Sequence, residues 1–150
     1  YRITADPVVA GGRIFTLDAQ SVVTATSTSG ATLWQVDVRP ARDQEGDATG
    51  GGLVVSGDTV YVSAGVGVLA ALDVSNGGVR WTQQLDASGS GTPSVAGDLV
   101  YVTAGDNAGW AINRSDGTTS SAPRRLRSRM IWRFLPSALA KCRRCSAVAA

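Results

Sequence analysis

Between residues 53 and 85, four short apolar segments alternate with turn residues: Leu53–Ser56, Thr59–Ala64, Leu69–Val74 and Val79–Leu85, broken by Gly57-Asp58, Gly65–Gly67 and Asn76-Gly77. Runs this short, rich in Val and bounded by Gly, Asn and Asp, predict β-strands rather than helices. Branched side chains suit a pleated surface, and the bounding residues supply the backbone angles of tight turns. Asn76-Gly77 predicts a hairpin with a type I′ turn, which needs positive φ at both central residues.

The pattern repeats. Shifting the chain by 40 aligns Val55–Gly65 with Val95–Gly105, and the register continues through Ala71/Ala111, Leu72/Ile112, Asp73/Asn113, Ser75/Ser115 and Gly77/Gly117. An earlier copy matches at a shift of 46 over Val9–Phe15, then at 47 for Ser29-Gly30 and Trp34 against Asn76-Gly77 and Trp81. The added length falls in Arg39–Gly52, a stretch rich in Gly, Asp and Arg that reads as an enlarged loop between repeats. Four short antiparallel strands in about 40–45 residues form the blade of a β-propeller. Strand spacing alone leaves a β-sandwich as the alternative.

The predicted fold is therefore all-β, a propeller segment of about two and a half four-stranded blades over residues 7–38, 51–85 and 91–118. Propellers close with typically 4–8 blades, so such a segment exposes a blade face at each end and is expected to be marginally stable alone. Trp34 and Trp81 each lie four residues after the Gly of the third turn, Gly30 and Gly77. At the start of the outermost strand, an indole can cover the neighbouring blade and bury on the order of 150–250 Å².

Charge divides the chain. Residues 1–118 hold all twelve acidic residues and six of the basic ones, a balance of −6, whereas 119–150 hold eight basic residues and no acid, a balance of +8. All Gly lie at or before Gly117, and both Cys and the single Met lie beyond it. The shift marks a boundary at residue 118, with 119–150 read as a basic tail that is disordered or out of frame. No apolar run reaches 18 residues, and the chain opens at Tyr1 with no leader pattern, which reads as a fragment lacking its natural N-terminus.

Candidate chemistry is sparse. The chain has no His, so neither a His-based triad nor a His-ligated zinc site can be built from it. Asp43-Gln44-Glu45-Gly46-Asp47 resembles a calcium loop, but its Gly comes too early for the sixth position and no Glu follows at the twelfth, which favours a solvated loop. Gly50-Gly51-Gly52 and Gly89-Ser90-Gly91 lack the helix and Lys-Ser/Thr ending of a phosphate loop and read as inter-blade turns. Cys142 and Cys145 form one isolated CxxC, a weak metal or redox signal. Arg124, Arg125, Arg127 and Arg129 with Trp132 and Phe134 could suit nucleic acid or anionic lipid, but an aberrant tail accounts for them more simply. In the Arg39–Gly52 loop, Arg39 and Arg42 are the candidate protein-binding residues, since Arg makes bidentate bonds to carboxylates.

Ala71-Leu72-Asp73-Val74-Ser75-Asn76-Gly77-Gly78-Val79-Arg80-Trp81 resembles the tryptophan-docking motif, A-x-D-x-x-x-G-x-x-x-W, of pyrroloquinoline-quinone-type propeller repeats. The first copy keeps Gly30 and Trp34 but shows Thr24 and Thr26 at the Ala and Asp positions. The third keeps Ala111 and Gly117, with Asn113 for Asp and Ser121 where Trp is due. This resemblance assigns Trp34, Ala71, Asp73, Gly77, Trp81, Gly30 and Gly117 to a structural docking motif. Of the family's branches, the segment is most similar to the BamB-like lipoproteins of the outer-membrane β-barrel assembly machinery. That branch implies a non-catalytic periplasmic scaffold without a cofactor. Its implied partners are the barrel-assembly subunit and unfolded outer-membrane proteins, with no nucleic acid, and membrane contact only through an N-terminal lipid anchor outside this sequence. The alternatives are a fragment of a quinone-dependent dehydrogenase, whose paired adjacent Cys is not found here, and a generic protein-interaction propeller.

Overall fold

The computed structural model describes residues 2–40 and 50–125. Each repeat folds as an antiparallel meander. The first contains β1 (Val8–Ala10), β2 (Arg13–Leu17), β3 (Val22–Ser27) and β4 (Thr32–Asp37). The second contains β5 (Gly51–Ser56), β6 (Thr59–Ala64), β7 (Val68–Asp73) and β8 (Val79–Gln84), and the third β9 (Gly89–Ala96), β10 (Leu99–Ala104), β11 (Ala108–Asn113) and β12 (Thr119–Arg125). Strand order within each sheet follows the sequence, so every connection inside a blade is a hairpin. The sheets stack face to face as consecutive blades of a propeller arc.

The middle blade explains why its strands read as nearly continuous apolar runs. Every residue of β6 is buried, because one face of the sheet meets the first blade and the other meets the third. Phe15, Leu17, Val23 and Ala25 pack on Val60, Val62, Ala64, Val68, Ala70 and Leu72 in the first joint. On the opposite face, Tyr61, Leu69, Ala71 and Trp81 join Val100, Val102, Ala104, Ala108, Trp110 and Ile112. The period-2 alternation of strands decides which residue serves which joint.

Four sequence expectations change. The glycines at 51, 52, 89 and 91 lie within strands β5 and β9, not in turns. The cause is close approach: a Cβ on Gly52 would sit 2.5 Å from Thr92 Cα, so these inner strands pack backbone against backbone. The Asn76-Gly77 connection is not a type I′ turn, since Gly77 has φ +75° but Asn76 has no positive φ. Instead the Gly77 N–H donates to the Asp73 carbonyl at 2.9 Å and the Asp73 N–H to the Gly78 carbonyl at 2.8 Å, closing a longer loop. Side chains hold it, as the Asp73 carboxylate accepts from the Ser75 N–H and the Asn76 Oδ1 accepts from the Gly78 N–H.

In the first blade this loop is one residue shorter, with the Gly30 N–H donating to the Ser27 carbonyl at 2.9 Å. The pairing Phe15↔Ala25↔Trp34 reproduces Tyr61↔Ala71↔Trp81. Ala25 and Ser27, rather than Thr24 and Thr26, therefore hold the Ala and Asp positions of the motif. Finally, Thr119–Arg125 pairs with β11 and supplies the fourth strand of the third sheet, past the boundary drawn at residue 118. A free edge on β11 needs only backbone partners, and Ser121 takes the register position opposite Ala111 that Trp81 takes opposite Ala71. The remainder of the basic tail, with Cys142 and Cys145, lies outside the described residues.

Candidate functional site at the blade joints

Each described joint is fastened by the same device. The outermost strand of one blade ends its loop with a Trp whose ring lies over the third-turn Gly of the next. The Trp34 indole N–H donates to the Val74 carbonyl at 3.1 Å, and a Cβ on Gly77 would come within 2.7 Å of the Trp34 ring. The Trp81 indole N–H donates to the Arg114 carbonyl at 2.9 Å, and a Cβ on Gly117 would meet the Trp81 ring at 2.7 Å. Two requirements fall on that Gly, the positive φ that closes the loop and the bare surface that seats the ring. Gly30 also has positive φ, +90°, but no atom stands within 4 Å of where its Cβ would be.

Behind each ring stands a second aromatic, Phe15 with centroid 5.8 Å from Trp34 and Tyr61 5.9 Å from Trp81, both tilted. Tyr101 is their counterpart in the third copy. It lies on the face of the third sheet turned away from the second blade and is 37% exposed, against 0% for Phe15 and 1% for Tyr61.

Ala71 is fully buried beneath Trp81, where only a small side chain leaves room for the ring. Asp73 serves the loop and also a cation. The Arg80 guanidinium bridges Asp58 at 2.8 Å and Asp73 at 2.7 Å and donates to the Thr59 hydroxyl. The bond from Arg80, followed by those from Ser75, holds the Asp73 carboxyl well below the usual carboxylate range. Arg80 likewise lowers Asp58. In the third blade Asn113 donates to the Thr118 hydroxyl, and Asp116 accepts from the Thr118 N–H and hydroxyl, which lowers its own pKa.

Two further arginines cross the joints, unflagged by the sequence because they stand outside the motif. Arg13 donates to the same Val74 carbonyl that receives the Trp34 indole, at 2.8 Å. Arg114 reaches back from the third blade to the Tyr61 hydroxyl at 3.3 Å. Their sequence signal is weak, since a lone Arg, at the start of a strand (Arg13) or in a turn (Arg114), carries no spacing pattern.

Of the candidate partner-binding pair, Arg42 lies outside the described residues. Arg39 is half-buried; its guanidinium donates to Gln20 Oε1 at 3.2 Å and its N–H to the Asp37 carboxylate at 2.8 Å. It lines a cleft of about 340 Å³ between the first two blades, together with Asp37, Val38, Pro40, Val68, Val79, Thr82 and Gln84. No sequence feature announced this cleft, whose two walls lie some 40 residues apart in the chain. Among the described residues, no group of three or more His, Cys, Asp or Glu side chains is placed to hold a metal ion, and no helix is long and apolar enough to cross a membrane.

A family model described as outer membrane protein assembly factor BamB matches residues 18–143. No curated protein matches the chain. Among solved structures, BamB from Moraxella catarrhalis is similar with a TM-score of 0.65 and 20% identity, covering 78% of this chain and 34% of that one. The quinohemoprotein alcohol dehydrogenase ADHIIG from Pseudomonas putida HK5 has a TM-score of 0.66 and 26% identity, covering 77% of this chain and 19% of that one. A europium-containing methanol dehydrogenase has a TM-score of 0.66 and 18% identity, covering 82% and 25%. The likeness to the first and third is one of fold. The chain thus spans about a third of the BamB structure and a fifth to a quarter of the dehydrogenases.

Proposed function

Because the chain belongs to the family of outer membrane protein assembly factor BamB, we propose that it is part of a non-catalytic scaffold on the periplasmic side of the bacterial outer membrane. It binds protein partners, the barrel-assembly subunit and unfolded outer-membrane proteins, through loops and strand edges. The observation that carries this reading is the family match across residues 18–143. The joints support it, since Trp34, Trp81 and the apolar faces are committed to holding blades together. Recognition is left to the loops and edges, which need no catalytic constellation. The loop that starts at Arg39 is the candidate contact. If it docks the barrel-assembly subunit, the Arg39→Glu, Arg42→Glu double variant of the full-length protein folds normally but co-purifies poorly with that partner. Unchanged partner recovery removes this loop from the interface.

A second reading rests on the 26% identity to a quinohemoprotein alcohol dehydrogenase over 77% of the chain. There the segment is a few blades of an enzyme whose cofactor site is completed elsewhere. Titrating the full-length protein with pyrroloquinoline quinone and Ca²⁺, then assaying alcohol oxidation with an artificial acceptor, separates the two. The scaffold reading expects no stoichiometric binding and no turnover.

A further inference from the structure

We propose that the outer edge of β8, with the cleft beside it, is a strand-addition site that takes an extended, uncharged polypeptide alternating apolar and polar side chains; the identity of that strand as an unfolded client rests on the scaffold reading above. The edge is open. In its sheet β8 pairs only with β7, and among the described residues no backbone hydrogen bond reaches its outer side. An exposed row of N–H and C=O groups is a template for another strand unless something blunts it.

The strand's own sequence carries few of the usual guards. β8 reads Val79-Arg80-Trp81-Thr82-Gln83-Gln84, with no Pro and no Lys. Its one charge, Arg80, is engaged by Asp58 and Asp73 in short ion pairs. β12, by contrast, carries Pro123, Arg124 and Arg125 in its sequence. Of the residues that line the cleft beside this edge, Asp37 and Arg39 carry opposite charges and Val38, Pro40, Val68, Val79, Thr82 and Gln84 carry none, which selects an uncharged strand, because a charge laid against the uncharged wall would lose hydration without gaining a partner.

The edge is also held in place and flanked by a receptacle. The Trp81 indole anchors β8 to the third blade through the Arg114 carbonyl, so little order need be gained on binding. On the opposite face Val79, Thr82 and Gln84 line the 340 Å³ cleft together with Val68, and Asp37, Val38, Arg39 and Pro40 line it from the end of the first blade. Val79 is 52% exposed there. A strand added to β8 sends every second side chain toward this cleft, where an apolar group of valine or leucine size covers Val79. The intervening side chains point away from the cleft and can be polar. Six residues of β8 match a segment of about 20 Å.

The test uses the full-length protein and an end-blocked octapeptide alternating valine and threonine, carrying a fluorophore and followed by anisotropy. Saturable binding is expected. Thr82→Lys should weaken it by about tenfold or more, and Gln35→Lys on β4 should leave it unchanged. The same peptide N-methylated on alternate residues, which cannot make the edge hydrogen bonds, should not bind. Circular dichroism checks the fold of each variant, and Gln84→Lys replaces Thr82→Lys if that one unfolds. The proposal is overturned by absence of saturable binding, by undiminished binding to the folded lysine variant, or by equal binding of the methylated peptide. Capture of the barrel-assembly subunit is scored separately. Its loss with peptide binding intact counts against the scaffold reading alone, and the reverse against strand addition alone.

Discussion

Replacing Trp81 with alanine removes the fastening of the second joint at a single atom set. The side chain is 8% exposed, its ring covers Gly117, and its N–H satisfies the Arg114 carbonyl. Burial of about 200 Å² at about 25 cal/mol per Å² gives an upper figure of about 5 kcal/mol. Buried Trp→Ala changes cost about 3–5 kcal/mol, so a loss of about 4 kcal/mol is expected. Trp81→Phe keeps most of the ring and loses the hydrogen bond, and about 1–2 kcal/mol is expected for it, the cost of leaving a part-buried acceptor without its donor. Urea unfolding of the full-length protein, followed by far-UV circular dichroism because the substitution alters fluorescence, gives both values. If Trp81→Ala costs less than about 0.5 kcal/mol, the level of an ordinary surface change, the docking account is wrong.

The vacant and filled seats can be compared directly. Gly117→Ala combines an unfavourable φ of +74° with a clash at 2.7 Å against the Trp81 ring, whereas Gly30→Ala meets only the backbone penalty at φ +90°. Melting or urea curves should show Gly30→Ala costing about 1–2 kcal/mol and Gly117→Ala distinctly more. Equal losses would deny the ring its role. Gly52→Ala drives a Cβ to 2.5 Å from the Thr92 backbone, and a loss of about 1–3 kcal/mol is expected from the forced separation of β5 and β9. Arg80→Gln should change the acid response. The Asp73 pKa is depressed in the fold by Arg80 first and Ser75 second, so its contribution is present above the unfolded value of about 3.9 and fades as pH falls through that value toward the folded one. The variant should lose stability above pH ~4 and show a shallower decline below it, and identical pH profiles would refute the clamp.

The strand positions were legible because the apolar runs are broken by turn residues such as Gly57, Gly65 and Asn76-Gly77, and because Trp34 and Trp81 repeat the same offset from Gly30 and Gly77. What escaped was register. Counting back from Gly30 placed Thr24 and Thr26 in the motif, but the first blade's loop is one residue shorter and Ala25 sits under Trp34. Asn76-Gly77 reads locally as a two-residue turn, yet the Asp73 carboxylate and the Gly77 N–H make a longer loop cheaper by satisfying its donors. β12 was hidden because Ser121 removed the aromatic signal while leaving the backbone pairing intact. The cleft at Arg39 and Val79 was invisible for a different reason: it exists only where two blades meet, and no local pattern encodes it.

The central claim is that this propeller serves protein assembly through its surface. Isothermal titration of the full-length protein with the purified periplasmic domains of the outer-membrane barrel-assembly subunit tests it most directly. Saturable one-to-one binding is the predicted result, and no detectable heat or complex at high micromolar concentrations, with the protein shown to be folded, would contradict it.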